Sequence, residues 1–274
     1  MKGMIGAAAA VMVAGSMALP VSAQSGADIV ERMLGEYERR SEGVENYTLM
    51  QTTMGVETVS YFEKEIVDGH PVFKLVSNAA AGMMVDGGGG GADDLFLMGA
   101  ELSDRAEYAG REQTDGFEVH VLDIDDLSGM GFEEDMGDDG NFEPIDGRIF
   151  IDADTYAPRR LEFNGLMTNE QGSHEVNSTV VMGDYREVSG MLIPHRTVIS
   201  ITGLGEAIDP ETRAQFEQMQ RELEAMPPAQ RRMVESMMAD QLAQFDAMMQ
   251  GGDAPMTVEV TVNEVRVNAG ASGG

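Results

Sequence analysis

The sequence predicts an α+β fold, with an antiparallel β-meander carrying most of the chain and a Met-rich helical hairpin inserted near its end. Two observations predict it. Between Gly147 and Arg196 the apolar residues Ile149 and Ile151, Leu161 and Phe163, then Val176, Val180 and Met182 fall on alternate positions with polar residues between them. A period of two gives a sheet one dry face. Each run stops at turn-forming residues, over Asp152 to Pro158, Asn169 to Ser173 and Gly183 to Gly190. Over Asp209 to Gln250 the period changes: Phe216, Met219, Leu223 and Met226, then Val234, Met238, Leu242, Phe245 and Met249 after Pro227-Pro228, recur at steps of three and four. That is the helical period, and the Pro pair breaks it into two arms.

The elements follow in order. Lys2, the apolar run Ile5 to Leu19 and the small-residue site Val21-Ser22-Ala23 predict a secretory signal peptide, residues 1–23, cleaved after Ala23. The run is shorter than the roughly 20 apolar residues that span a bilayer. The chain has no cysteine, so neither lipidation nor disulfides are expected, and the product is predicted to be exported, periplasmic and without a transmembrane segment. Residues 24–267 then form a single domain. Asp28 and Glu31 mark a capping-box-like helix start, with Val30, Met33, Leu34 and Tyr37 on one stripe and an end near Gly43. Strands are predicted at Asn46 to Met54, Val56 to Val67 and Val72 to Ser77, and a hairpin at Glu107 to Gln113 with Phe117 to Ile124. Regular structure lapses over Ala79 to Asp94, where Gly87 to Gly91 costs too much backbone entropy, and Leu95 to Leu102 predicts a short helix. Met191 to Gly203 and Met256 to Val267 read as one long hairpin interrupted by the insertion at 209–250, and residues 268–274 as a disordered tail.

A formal net charge of -30 excludes nucleic acid as a partner, because it repels polyanions at long range. The acidic loop Asp123 to Asp146 does not keep the EF-hand register: Leu127 and Ser128, then Gly137, stand where that loop needs ligands or its glycine. The glycine run is flanked by Asp86, Asp93 and Asp94, which repel phosphate. The four histidines, His70, His120, His174 and His195, show no metal-ligand spacing and read as isolated surface or turn residues. No nucleophile motif is present, so no catalytic residue, metal or cofactor is predicted and the chain is expected not to be an enzyme.

Four segments carry a family resemblance: Gly147-Arg-Ile-Phe-Ile-Asp152 with Tyr156-Ala-Pro-Arg159; Gly183-Asp-Tyr-Arg-Glu-Val-Ser-Gly-Met-Leu-Ile-Pro194; the opening helix and strand, Ala27 to Thr53; and the turn in Gly110 to Asp123. Together they resemble the LolA-like family, the periplasmic carriers and sensors that include outer-membrane lipoprotein-sorting proteins. The resemblance implies a strongly curved antiparallel sheet, a half-open barrel lidded by helices, whose concave apolar side holds acyl chains. The expected function is a lipid or lipoprotein carrier; the alternative is an envelope-stress sensor or accessory protein that binds a protein partner on the same fold. Predicted cavity residues are Ile149, Ile151, Leu161, Phe163, Val180, Met182, Ile199 and Ile201, with Met233, Met237 and Met238 as deformable lid positions.

Overall fold

The structure, a computed structural model, describes residues 24–67, 69–80, 83–84, 95–96, 98–130, 134–135, 141–169, 172–203 and 255–270, with eight single positions between 214 and 231. The signal peptide, the glycine run and most of the helical insertion, Met233, Met237 and Met238 included, lie outside the described residues. Ala214, Gln218, Arg221 and Leu223 before the Pro pair, and Gln230 and Arg231 after it, are helical.

The elements with described bounds are the helices α1 (Gly26–Arg40) and α2 (Gly99–Arg105) and the strands β1 (Asn46–Thr53), β2 (Val56–Val67), β3 (His70–Ala80), β4 (Met83–Met84), β5 (Glu107–Thr114), β6 (Phe117–Ile124), β7 (Glu134–Asp135), β8 (Asn141–Asp152), β9 (Pro158–Asn169), β10 (Gly172–Val188), β11 (Met191–Thr202) and β12 (Met256–Val267). They form one antiparallel sheet in the order β4-β3-β2-β1-β12-β11-β10-β9-β8-β6-β5, with β7 attached to β8. The last strand joins the halves: β12 pairs with β1 through Tyr47 opposite Val267 and with β11 through Arg196 opposite Thr261. Its ends, β4 and β5, are not paired with each other, so the sheet is open.

Helix α1 shows that the sheet is also curved. It touches β3, β11 and β5, although nine strand spacings separate β3 from β5. In a flat sheet that is about 43 Å. Fifteen helical residues reach only about 22 Å. The sheet therefore wraps around the helix, as a half-open barrel does.

Helix α1 starts earlier than the sequence indicated. Ser25 is the N-cap; its hydroxyl accepts from the Asp28 N–H, and Asp28 returns the bond to the Ser25 N–H. Those bonds, the backbone one first, hold the Asp28 carboxyl below its ordinary range. Ile29, Val30, Met33 and Leu34 are buried on one stripe. Gly26 allows the helix to sit on the end of α2, since a Cβ there would stand 1.9 Å from the Ala106 carbonyl oxygen.

Other boundaries differ for identifiable reasons. Strand β10 runs through the predicted Gly183 to Gly190 turn as far as Val188, because Asp184 absorbs a kink at φ +49° and the ladder resumes at Tyr185 opposite Pro194. The last six residues of the acidic loop, 141–146, are the start of β8, and Met83–Met84 adds a strand to β3 where none was expected. Asn268 is tied down: its side chain accepts from the Glu45 N–H at 2.8 Å and donates to the Gly43 carbonyl at 2.9 Å.

Candidate ligand-binding face

Strand register places the predicted cavity residues on one face. Leu122, Ile149, Leu161, Val180, Ile199 and Val258 are successive partners across β6, β8, β9, β10, β11 and β12. One row away stand Ile124, Gly147, Phe163, Ser178, Ile201 and Met256. Residues paired across a sheet share a face, so the first row is a continuous apolar band and the second an apolar band broken at Ser178, both on the side that α1 occupies.

Burial along the band is graded. Leu122 and Ile149 are fully buried and Leu161 nearly so, whereas Val180, Ile199 and Val258 are half-buried. The cause is the helical cover: Ile149, Ile151, Leu161 and Met182 pack into one cluster with Ile29, Val30, Met33 and Leu34 of α1 and Leu102 of α2, and Phe163 and Val180 flank it. Ile199 and Ile201 continue the same rows beyond that cluster, both half-buried. The concavity changes character toward β1 to β3, where Gln51 stands opposite Thr58 and, one row away, Ser60 stands opposite Asn78. On β11, His195 donates from Nδ1 to the Val262 carbonyl at 3.0 Å, which fixes its tautomer. A separate cleft of about 450 Å³ opens beside the C-terminal end of α1, lined by Glu38, Arg39, Ser41 and Lys64, away from the apolar rows.

Helix α1 is fixed to the sheet by a polar cluster that the sequence reading missed. His120 on β6 is fully buried, not a surface or turn residue. Its Nδ1 lies 3.2 Å from the Tyr108 hydroxyl, and its ring is stacked on Tyr156 at 5.7 Å. Arg32 of α1 donates to the Tyr156 hydroxyl at 3.0 Å. His195 is likewise buried, against the same expectation. A signal for His120 was present: alternation puts it on the face of Leu122 and Ile124.

The family-like segments meet beside this cluster. Asp152 Oδ1 accepts from the Asp154 and Thr155 N–H groups, while Oδ2 accepts both Arg159 Nε and Nη2, at 3.0 and 2.8 Å. Arg159 lies between the rings of Phe117 and Tyr185, 3.9 and 4.8 Å from their centroids. Tyr185 also donates its hydroxyl to the Pro158 carbonyl. Burial pushes the Asp152 carboxyl up, but the Thr155 N–H and Arg159 outweigh it and hold it below the ordinary value.

An open antiparallel sheet curled around an N-terminal helix is the architecture the sequence resemblance implied. Solved structures similar to the chain include an outer-membrane lipoprotein-sorting protein domain from Vibrio parahaemolyticus, at 10% identity, TM-score 0.42, covering 89% of this chain and 93% of that one. A DUF1329 family protein from Desulfovibrio piger aligns at 11% identity and TM-score 0.41 over 90% and 93%. A LolA superfamily protein from Nitrosomonas europaea aligns at 9% and 0.31 over 62% and 84%. Neither a protein-family model nor a curated protein matches the chain. At these identities and TM-scores the likenesses carry no function across. No helix among the described residues is long and apolar enough to cross a membrane.

Proposed function

We propose that the chain is an exported, periplasmic carrier that holds the acyl chains of a lipid or lipoprotein against the concave apolar face, with α1 and α2 as the fixed part of its lid and no catalytic chemistry. The observation that carries this reading is the graded band: the apolar rows run past the helical cover onto Ile199, Ile201, Val258 and Met256, which remain half-buried. Burying a methylene stabilises by about 0.8 kcal/mol, so a band crossing six strands offsets the exposure of an acyl chain without chemistry. Met233, Met237 and Met238 supply deformable lid positions in this reading.

Native mass spectrometry with lipid extraction tests it, on mature protein purified gently from the periplasm of its host. A co-purifying acylated species of defined mass is expected. Protein that is reproducibly empty and takes up no added lipid or lipopeptide refutes the carrier reading. That outcome favours an accessory protein that binds a protein partner, a reading supported by the exposed Met54, Val56, Ile66 and Val76 on the β1 to β3 side.

A further inference from the structure

We propose that His120, Tyr156 and Arg32 form a proton-sensitive latch that holds the N-terminal half of α1 over the apolar face and releases it as pH falls. The inference does not depend on acyl chains being the ligand. Its first support is geometric. Tyr156 sits at φ +54°, in the left-handed region that a bulky side chain rarely enters. Such a conformation persists only where the surroundings over-determine it. Here they do: the Tyr156 N–H donates to the Asp152 carbonyl at 2.9 Å, its ring stacks on His120, and its hydroxyl accepts from Arg32. One strained residue thus couples a buried imidazole to the helix.

The second support is what a proton would meet. His120 Nε2 is buried and without a partner among the described residues, while Nδ1 has Tyr108 alone. An imidazolium there would carry an unsatisfied buried N–H, which costs more than the neutral ring does. Of the charged groups acting on it, Arg32 on α1 and Arg111 on β5 repel a proton, and Glu118 on β6 favours one; its partner on β8, Ile151, is neutral. Burial, the largest cause, and the two arginines hold the ring below the usual histidine value.

The sign follows. Above about pH 6.5 His120 is neutral whether latched or released, so the latch is intact. Below it the released form binds the proton first, and the latched population falls. The C-terminal end of α1 is held by separate contacts: Lys64 donates to the Ser41 carbonyl at 2.9 Å, and His70 on β3 lies 3.9 Å from Glu38. The helix therefore opens from its N-terminal end while this end stays pinned.

Hydrogen exchange by mass spectrometry on the mature chain between pH 7 and 5, corrected for intrinsic rates, tests the latch. Opening of the Gly26 to Met33 segment is expected to rise by up to about ten-fold per pH unit, the limit for one proton, while β10 and β11 stay protected. In His120→Phe the rise is expected to vanish. Exchange in α1 that follows β10 and β11 at every pH overturns the proposal, as does a pH dependence that survives in His120→Phe. Should that variant not fold, NMR titration of the wild-type histidines decides: His120 titrating at an ordinary histidine value, or without change in α1, overturns it.

Discussion

Replacing Asp152 by Ala removes the carboxylate that faces the enclosed Arg159 guanidinium. The two side chains are 6% and 13% exposed, so solvent screens the pair little. The substitution leaves Arg159 charged between the Phe117 and Tyr185 rings and takes the acceptor from the Asp154 and Thr155 N–H groups. Removing one member of a buried pair costs about 3–5 kcal/mol, and this is the expected loss in urea unfolding. Asp152→Asn retains an acceptor for the turn and loses the charge, so a loss of about 1.5–3 kcal/mol is expected. Arg159→Met combined with Asp152→Ala should lose less than the sum of the two singles, by about 1 kcal/mol or more, because each single already breaks the shared interaction. The pH dependence has a fixed sign. A carboxyl held below its unfolded value of 3.8 contributes stability that is present above that value and lost as pH falls through the folded one. A loss below about 1 kcal/mol for Asp152→Ala, the value of an exposed pair, would refute the reasoning.

Four further outcomes are expected. Gly147→Ala places a Cβ 2.7 Å from the Glu162 carbonyl oxygen and 2.8 Å from the Phe163 ring, and should destabilise by about 1–3 kcal/mol in urea. Gly183→Ala, whose nearest neighbour would be the Arg196 carbonyl at 4.0 Å, should change stability by no more than about 0.5 kcal/mol. Tyr185→Phe removes the hydroxyl that bonds the Pro158 carbonyl and should cost about 1 kcal/mol, measured by the same unfolding curve. Ile199→Asp charges the half-buried stretch of the apolar band; it should leave far-ultraviolet circular dichroism unchanged and abolish uptake of a fluorescent acyl probe, and unchanged uptake would count against this part of the band as the ligand surface.

The strands were legible because a half-buried strand writes its period into local sequence. Val56 to Val67 and the β5 and β6 hairpin stand where the alternation put them, within a residue. Which strand pairs with which is not written locally: nothing in Met256 to Val267 says that it lies between β1 and β11, though the interrupted-hairpin reading found the β11 partner. Boundaries failed where a single residue absorbs a distortion. Asp184 carries a left-handed φ in mid-strand, and the Asp-Tyr-Arg run around it reads equally well as a turn. Ser25 was missed as the cap because Asp28 and Glu31 supply a competing pattern three residues on. Ile149, Ile151, Leu161, Phe163, Val180, Met182, Ile199 and Ile201 share a face because register extends alternation sideways, but how much of that face the helices cover depends on α1 meeting strands nine places apart.

The polar residues were legible as types and not as partners. Asp152 and Tyr156 read as part of the turn ending at Pro158, which joins β8 to β9, with Arg159 just inside β9, while Tyr185 read as part of another turn. Only the pairing of β9 with β10 brings Tyr185, 27 residues from Pro158 in sequence, onto the Arg159 guanidinium. The same turn then reaches across to α1 through Tyr156 and Arg32. Segments that look like strand-and-turn punctuation thereby add a polar tie to the apolar packing of the helix on the band. A turn that only reversed the chain would need no buried ion pair and no left-handed tyrosine; one that must hold a helix at a fixed height above a sheet uses both, because each removes a freedom that the helix would otherwise keep.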